Sequence, residues 1–186
     1  MNEEIIGCRF SLAVMNDDYA NMILKALKNL NTDKIWVKSD KLSTTYRGKL
    51  IHVTDALKAC FININDGKTH ITMEATFSKG CPNYTSLDSF IAKDNILLNP
   101  TTKSFEVLAK IAFYPLGTID YMKHIEFAID LARKHGVFKE ISHYATELLG
   151  DINKLFYYFN DLLLYAEEIK HFALQVTLSV NSPTKF

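Results

Sequence analysis

The chain has 186 residues, of which 48% are apolar, and its 21 basic and 21 acidic side chains give a formal net charge of zero. This apolar share is enough for a folded core in one or two small domains. Neutrality argues against nucleic acid or an anionic membrane as a partner. The sequence begins with acidic residues where a signal peptide is basic, and it contains no run of about 20 apolar residues. We therefore expect a cytoplasmic protein with no direct membrane insertion.

The first half of the chain recurs in the second half with a shift of 101 or 102 positions. CRFSLAVM, STTYRG and HITMEATFSKGCP align with AKIAFYPL, ATELLG and HFALQVTLSVNSP. Agreement of pattern and turn residues at one fixed spacing predicts an internal duplication. We predict a first repeat over 1–82, a linker over 83–104 that is ordered but irregular, and a second repeat over 105–186.

Each copy alternates between strand-like and helix-like periodicity in the order βαββαβ. The elements predicted in the first copy are strand 8–14, helix 17–30 with Asn16 or Asp17 as its N-cap, strands 34–37 and 42–48, helix 50–64 and strand 69–78. Those of the second copy are strand 106–114, helix 118–135 ending before Gly136, paired strands within 137–149, helix 151–168 and strand 170–179. This order predicts an α+β protein of tandem ferredoxin-like units, with antiparallel sheets and the helices on one face.

The sheet face turned away from the helices, here called the open face, follows from strand parity. In strand 69–78 the apolar residues form one set, and Thr72, Glu74, Thr76 and Ser78 form the other. The corresponding residues of the last strand are Ala173, Gln175, Thr177 and Ser179, and the flanking strands add Ser11, Ala13, Ser43, Thr45, Arg47, Ala112, Tyr114, Ala145 and Glu147. The sequence thus predicts a face of small hydroxyls, an amide, an aromatic ring and one acid per copy.

Short donors and acceptors suit either a partner sheet or a small polar ligand, and the residue types leave both open. Glu74 and Glu147 could accept hydrogen bonds from an amino-substituted heteroaromatic ring, with Tyr114 stacking on it. The alternative is that each glutamate forms a salt bridge, for example Glu74 with Arg47. If Glu147 binds the ring, Glu147→Gln is expected to weaken binding more than Thr45→Ala does.

An enzyme would need a nucleophile and a base. Cys81 with His70 or His143 is the candidate pair, but the Gly-Cys-Pro setting of Cys81 favours a structural turn. Three cysteines without a CxxC pair predict neither a disulfide framework nor a zinc site, and the scattered histidines predict no metal site. We therefore expect no enzymatic activity.

Several motifs resemble the YkoF family of thiamin/hydroxymethylpyrimidine-binding proteins, which are built from tandem ferredoxin-like repeats. They are GCRFSLAVM, STTYRG and TFSKGCP in the first half and FYPL, HYATELLGD and VTLSVNSP in the second. The resemblance spans almost the whole chain. It implies a non-enzymatic cytoplasmic homodimer that binds its ligand once per repeat, needs no further cofactor, and is linked to a thiamin-precursor transporter.

Motif by motif, the resemblance and the open face together single out fourteen candidate ligand-binding residues. They are Ser11, Ser43, Thr44, Arg47, Glu74, Thr76, Ser78, Cys81, Tyr114, His143, Tyr144, Glu147, Thr177 and Ser179. The chain departs from the family pattern at Ala13, Glu74 and Leu149. Two of these departures fall in the first copy, so we expect the first site to be the weaker or altered one.

Two other functions remain open at this point. One is a ferredoxin-like regulatory module that senses another small metabolite, and the other is a structural oligomer whose open faces only pack on each other. The choice among thiamin, hydroxymethylpyrimidine and their phosphorylated forms also stays open.

Overall fold

A computed structural model of the chain describes residues 5–79, 91–92, 94–169 and 171–184. These described residues form eight β-strands and four α-helices, in the predicted order βαββαβ twice over. The elements are β1 Ile5–Val14, α1 Tyr19–Lys28, β2 Trp36–Ser39, β3 Thr44–Lys49, α2 Leu50–Ile64, β4 Ile71–Lys79, β5 Glu106–Leu116, α3 Tyr121–Lys134, β6 Phe138–Ser142, β7 Ala145–Asp151, α4 Ile152–Ala166 and β8 His171–Val180. None of these helices is long and apolar enough to cross a membrane.

The predicted elements are confirmed, with differences at their ends. Helix α2 has the predicted bounds, whereas α1 begins after Asp18, so the prediction of Asn16 or Asp17 as its N-cap is wrong. Asn16 instead accepts a hydrogen bond from the backbone N–H of Asp18 before the helix begins. The end of α3 is as predicted, because Gly136 has a φ of 67° and its N–H donates to the carbonyl of Arg133. Helix α4 ends in a short 3₁₀ turn over Glu167–Ile169.

The eight strands form one antiparallel sheet in the order β2-β3-β1-β4-β8-β5-β7-β6. The helices cover one face, where the inward side chains of both copies join a single core. Strand β4 supplies Met73 and Phe77 to this core and β8 supplies Leu174 and Leu178, all fully buried as their parity predicted. Burial of large apolar side chains is the main stabilising contribution to such a layer.

The two copies meet edge to edge, through nine opposed residue pairs of β4 and β8. Ala75 lies opposite Val176, the residue 101 positions later that is its own duplicate. On either side, Glu74 lies opposite Thr177, and Thr76 lies opposite Gln175. A pseudo-two-fold axis therefore passes through the Ala75–Val176 pair, and the two open faces lie side by side on one continuous surface.

The segment 94–104 crosses between the copies without helix or strand, and helix α2 fixes it. The buried carboxylate of Asp55 accepts from the N–H groups of Leu98 (3.2 Å) and Asn99 (3.1 Å), and the ring of His52 bonds the carbonyl of Asp94 at 2.8 Å. Residues 94–104 contain no helix or strand, which agrees with an irregular segment. The boundaries 1–82, 83–104 and 105–186 stay predictions, because 80–90 lies outside the described residues.

Two glycines at equivalent places allow β3 and β7 to approach an apolar side chain closely. A Cβ added to Gly48 would lie 2.7 Å from Cγ2 of Ile35, and one added to Gly150 would lie 3.0 Å from Cγ1 of Val137. Ile35 and Val137 are both buried. Gly150 and Val137 lie one repeat shift further along the chain than Gly48 and Ile35. The absence of a side chain at these two positions is thus a packing requirement of each repeat.

Candidate functional site on the open sheet face

Strand register arranges the open face as rows of side chains that run across both copies. One row contains Trp36, Arg47, Gly7, Ser78 and Ala173. The next contains Lys38, Thr45, Arg9, Thr76 and Gln175.

A third row crosses the middle of the sheet and contains Ser11, Glu74, Thr177, Lys110 and Glu147. Neighbouring strands lie about 4.8 Å apart, so side chains in one row can act on the same small ligand.

The first two rows enclose a depression of about 290 Å³ in the first copy, here called the first-copy depression. Its described lining combines basic residues, hydroxyls and one aromatic ring: Ile5, Gly7, Cys8, Arg9, Trp36, Thr45, Arg47, Thr76, Ser78 and Lys79. Pockets for small molecules commonly measure about 300–1,000 Å³ and place a few polar groups on an apolar wall. The depression is therefore of a size for one substituted ring.

Polar contacts between the copies occupy the centre of the face. Thr177 donates a hydrogen bond to Oε2 of Glu74 at 2.8 Å, so Glu74 bonds a hydroxyl of the second copy instead of forming the alternative salt bridge with Arg47. The ring of His70 bonds the Ser179 hydroxyl at 3.2 Å. Three of the predicted site residues, Glu74, Thr177 and Ser179, therefore take part in contacts between the two repeats.

In the second copy, two lysines hold the carboxylate of Glu147. Lys110 Nζ lies 3.0 Å from Oε1 and Lys139 Nζ lies 3.2 Å from Oε2. Hydrogen bonds from these ammonium groups, Lys110 first, lower the pKa of Glu147 below its usual range. The salt bridge considered for each glutamate is thus realised at Glu147, and a ligand at either oxygen would share that oxygen with a lysine.

The structure brings most of the fourteen predicted residues to one surface, but not all. Thr44 has the parity of the helix side, because it is opposite Phe10, and its hydroxyl bonds that of Ser39 at 2.9 Å, so it does not share the open face with the other candidates. Ser43 lies in the β2–β3 turn, where its backbone N–H donates to Asp40.

The turn between β6 and β7 contains two further candidates, His143 and Tyr144. Tyr144 has a φ of 62° and is 99% exposed, so its ring contacts little of the protein. Because Ile111 lies opposite Thr146, the turn is level with the end of β5, near Tyr114. His70 lies at the other end of the sheet, and Cys81 lies outside the described residues.

Sequence reasoning missed Arg9, Trp36, Lys110 and Lys139, and it described the open face as short polar side chains. That description fits β4 and β8 but is wrong for β1 and β5, which add Arg9 and Lys110, whereas Arg47 of β3 was among the predicted residues of this face. Parity could have found Arg9, since it lies two residues from Ser11 on the same strand. Trp36 could have been found as the hairpin partner of Arg47.

The thiols of Cys8 and Cys60 lie in the core behind this face. Burial raises the pKa of the Cys60 thiol to about 12 and raises that of Cys8 further. Neither thiol is suited to act as a nucleophile, because the thiolate is the reactive form. Across the described ranges, no three His, Cys, Asp or Glu side chains are grouped closely enough to hold a metal ion.

Comparison with known proteins agrees with this architecture. The model of the YkoF-related family matches the chain twice, over residues 5–84 and 106–185. The chain belongs to the YkoF-related family. It is 38% identical over 185 residues to a Bacillus subtilis (strain 168) protein named "Putative HMP/thiamine-binding protein YkoF", covering 97% of this chain and 92% of that relative. Each matched range contains one of the two βαββαβ units.

Proposed function

We propose that the chain is a non-enzymatic binding protein for thiamin or its hydroxymethylpyrimidine moiety, held on the open face. The observation that carries this proposal is the first-copy depression, in which Trp36 stands beside hydroxyls on a sheet face that the helices leave open. The name of the Bacillus relative supports the same class of ligand.

The depression offers contacts that match an aminopyrimidine. The hydroxyls of Thr45, Thr76 and Ser78 can each donate and accept, so they suit both the ring nitrogens and the exocyclic amine. The indole of Trp36 supplies a flat apolar surface for the ring. Gly7 leaves room above the sheet, since a Cβ there would lie 3.8 Å from the nearest protein atom.

A second site, in the other repeat, belongs to the proposal and centres on Glu147, Thr177 and Tyr114. The half-exposed ring of Tyr114 is available for stacking. Glu147 already accepts hydrogen bonds from Lys110 and Lys139, so it would share its carboxylate between these lysines and the ligand amine. We therefore rank the first site above the second, the reverse of the order suggested by the departures from the family pattern.

The cytoplasmic location, the homodimeric assembly and the link to thiamin-precursor uptake belong to the same proposal and rest on the family resemblance. In a dimer, one sheet could cover the other's open face and enclose the ligand. The thiols of Cys8 and Cys60 are buried behind the open face, so neither can attack a ligand bound there. The glutamates and hydroxyls of the face can form hydrogen bonds to a ligand. These groups support binding without chemical conversion.

The test is a thermal-unfolding screen against thiamin, hydroxymethylpyrimidine and a panel of amino acids. A ligand at about 100 times its Kd should stabilise the folded state by roughly 2.7 kcal/mol. Mass spectrometry of the recovered ligand checks that it is unchanged. A response to amino acids alone would favour the regulatory module, and no response to any compound would favour a structural oligomer.

A further inference from the structure

We propose that Lys34 is a positioning residue of the first-copy depression, because it fixes the edge strand that carries Trp36. The proposal rests on the proposed function, since it gives a residue outside the described lining a role toward that site. Trp36 begins β2, and Lys34 lies two residues earlier, in the turn that leads from helix α1 into this strand. The side chain of Lys34 is only 16% exposed, which is low for a lysine.

Strand β2 is weakly held within the sheet. It has four residues and is the outermost strand of the first copy, so among the described strands it pairs with β3 alone. A short strand at a sheet edge is held by few hydrogen bonds and opens more easily than a central strand. The contacts that fix the turn before β2 therefore help to determine where Trp36 lies beside the depression.

Lys34 joins this turn to the segment that follows the first copy. Its ammonium group donates to the carboxylate of Asp94 and, at 2.7 Å, to the carbonyl of Ile96. The hydrogen bond from Lys34 also lowers the pKa of Asp94 below its usual range, so this carboxylate is charged near neutral pH. Hydrogen bonds between charged groups are stronger than those between neutral groups, which makes Lys34 the firmer of the two attachments of the turn.

The second attachment fixes the start of the same turn. The backbone N–H of Asn31 donates to the side-chain oxygen of Asn99 at 2.9 Å, and the side-chain amide of Asn99 donates back to the carbonyl of Asn31 at 2.9 Å. The hydrogen bonds of Lys34 and Asn31 to the segment 94–99 are here called the linker clamp.

Helix α2 holds the far side of the linker clamp in place. Oδ2 of the buried Asp55 accepts from the side-chain amide of Asn99 at 2.9 Å, in addition to the backbone N–H groups of Leu98 and Asn99. The ring of His52 bonds the backbone carbonyl of Asp94. Because α2 belongs to the shared core, the linker clamp connects the edge strand β2 to the most buried helix of the first copy.

The second repeat provides an internal comparison. Gly136 stands one repeat shift after Lys34, and Phe138 stands one repeat shift after Trp36. Gly136 has a φ of 67° and ends helix α3, so this turn has no side chain that could act as Lys34 does. Loss of the linker clamp should therefore affect the first site and not the second.

Acrylamide quenching of Trp36, the sole tryptophan of the chain, measures its position without any ligand. Lys34→Met keeps most of the side-chain length but removes both hydrogen bonds. It should raise the quenching constant and lower the fluorescence anisotropy of the folded, ligand-free protein. Lys34→Arg keeps a charged donor and should restore the values of the parent protein.

Isothermal titration with hydroxymethylpyrimidine and with thiamin measures the effect on the site, and the accompanying change in Trp36 fluorescence assigns binding to the first site. Lys34→Met should weaken that binding by roughly three- to tenfold, because the apparent affinity falls with the fraction of molecules in the binding-competent arrangement. Lys34→Arg should recover most of the loss. A merely structural role would instead lower the midpoint of thermal unfolding and leave the affinity of the folded protein unchanged.

Two further variants make the test specific. Asp94→Ala removes a partner of Lys34 at a half-exposed position and repeats the test in case Lys34→Met does not fold. The double variant should lose no more affinity than Lys34→Met alone, because both changes break the same contact. Lys28→Met removes an exposed positive charge from the last turn of α1 and should leave quenching and affinity unchanged.

The outcomes separate this inference from the proposed function. If a ligand binds the parent protein but Lys34→Met changes neither quenching nor affinity, the inference is wrong and the proposed function stands. Increased quenching with unchanged affinity would also overturn the inference, because Trp36 would then move without consequence for the site. If neither ligand binds the parent protein while Lys34→Met raises quenching, the proposed function is wrong and the role of Lys34 in placing Trp36 stands. Equal effects of Lys28→Met would indicate an influence of charge alone and would overturn the linker clamp.

Discussion

At the residue scale, Glu147 links the stability of the fold to pH. Lys110 and Lys139 lower its folded-state pKa, so its contribution to stability is present above the unfolded-state pKa of about 4.3 and is lost as pH falls through the folded-state value. Glu147→Gln should therefore lower the free energy of unfolding at pH 7 and make little difference at strongly acidic pH. Urea unfolding at both pH values measures this.

The matched control for that measurement is Glu106→Gln, an exposed carboxylate at the start of β5. It should change the free energy of unfolding little at either pH. A Glu147→Gln variant with the same acid sensitivity as the parent protein between pH 7 and pH 3 would contradict the role given to the two lysines.

Thr45 is the second residue for which the structure changes the expectation. It lines the first-copy depression, whereas both oxygens of Glu147 are already paired. We now expect Thr45→Ala to weaken binding at the first site by roughly two- to tenfold, which corresponds to one neutral hydrogen bond of about 0.5–1.5 kcal/mol. Glu147→Gln should weaken binding at the second site less. Isothermal titration of both variants reports binding at either site, and the opposite order would support Glu147 as the principal ligand group.

At the scale of the elements, Gly48 and Gly150 are the positions where β3 and β7 lie closest to a buried apolar side chain. Gly48→Ala should lower stability by about 1–3 kcal/mol, because overpacking a filled core forces neighbouring atoms to shift. Gly150→Ala should lower it less, since its added Cβ has 3.0 Å of clearance instead of 2.7 Å. Denaturant unfolding gives both values. Gly7→Ala, whose Cβ would make an ordinary van der Waals contact at 3.8 Å, is the control and should change stability little.

The order and periodicity of the elements were predictable because the apolar residues that each strand and helix buries recur at the spacing typical of that element. Phe77 and Leu178 alternate with hydroxyls, and the fully buried Val53 and Leu57 recur at helical spacing. The pairing of β4 with β8 was not predictable from this pattern. A free strand edge can pair with another strand of the same chain or of a second chain. The hydrogen bonds of such a pairing come from backbone N–H and C=O groups, which are common to nearly all residues, so the sequence does not indicate the partner strand.

The candidate site was predictable in part for a similar reason. Strand parity placed Arg47, Thr76 and Ser78 on the open face correctly. The same rule places Thr44 on the side of the sheet that faces the helices, although its motif suggested a ligand contact. Lys139 escaped prediction because β6 is irregular in register beside β7, and simple alternation fails where a strand bulges.

At the scale of the whole molecule, the continuous sheet and shared core predict one cooperative unfolding transition. Met73 and Leu178 are fully buried and lie opposite each other across the joint. Truncating either to Ala should cost about 2–5 kcal/mol through lost burial and a residual cavity. Leu178→Ala, although in the second copy, should shift the Trp36 fluorescence transition as far as the circular dichroism transition.

That comparison uses the single tryptophan as a reporter of the first copy alone. Thr177→Ala, which removes a hydroxyl from the open face of the same strand, is the milder control. A Leu178→Ala variant that unfolds in two steps, with Trp36 fluorescence unchanged during the first, would mean that the repeats unfold independently.

The opposition of Ala75 and Val176 has a consequence for how the two halves can differ. Two separate identical chains paired along this strand would be related by true symmetry, and every substitution would occur on both sides of the axis. A single fused chain is free of that restriction. Arg47 lines the depression in one half while Leu149 stands at the matching place in the other, so the two halves of one surface can present different side chains.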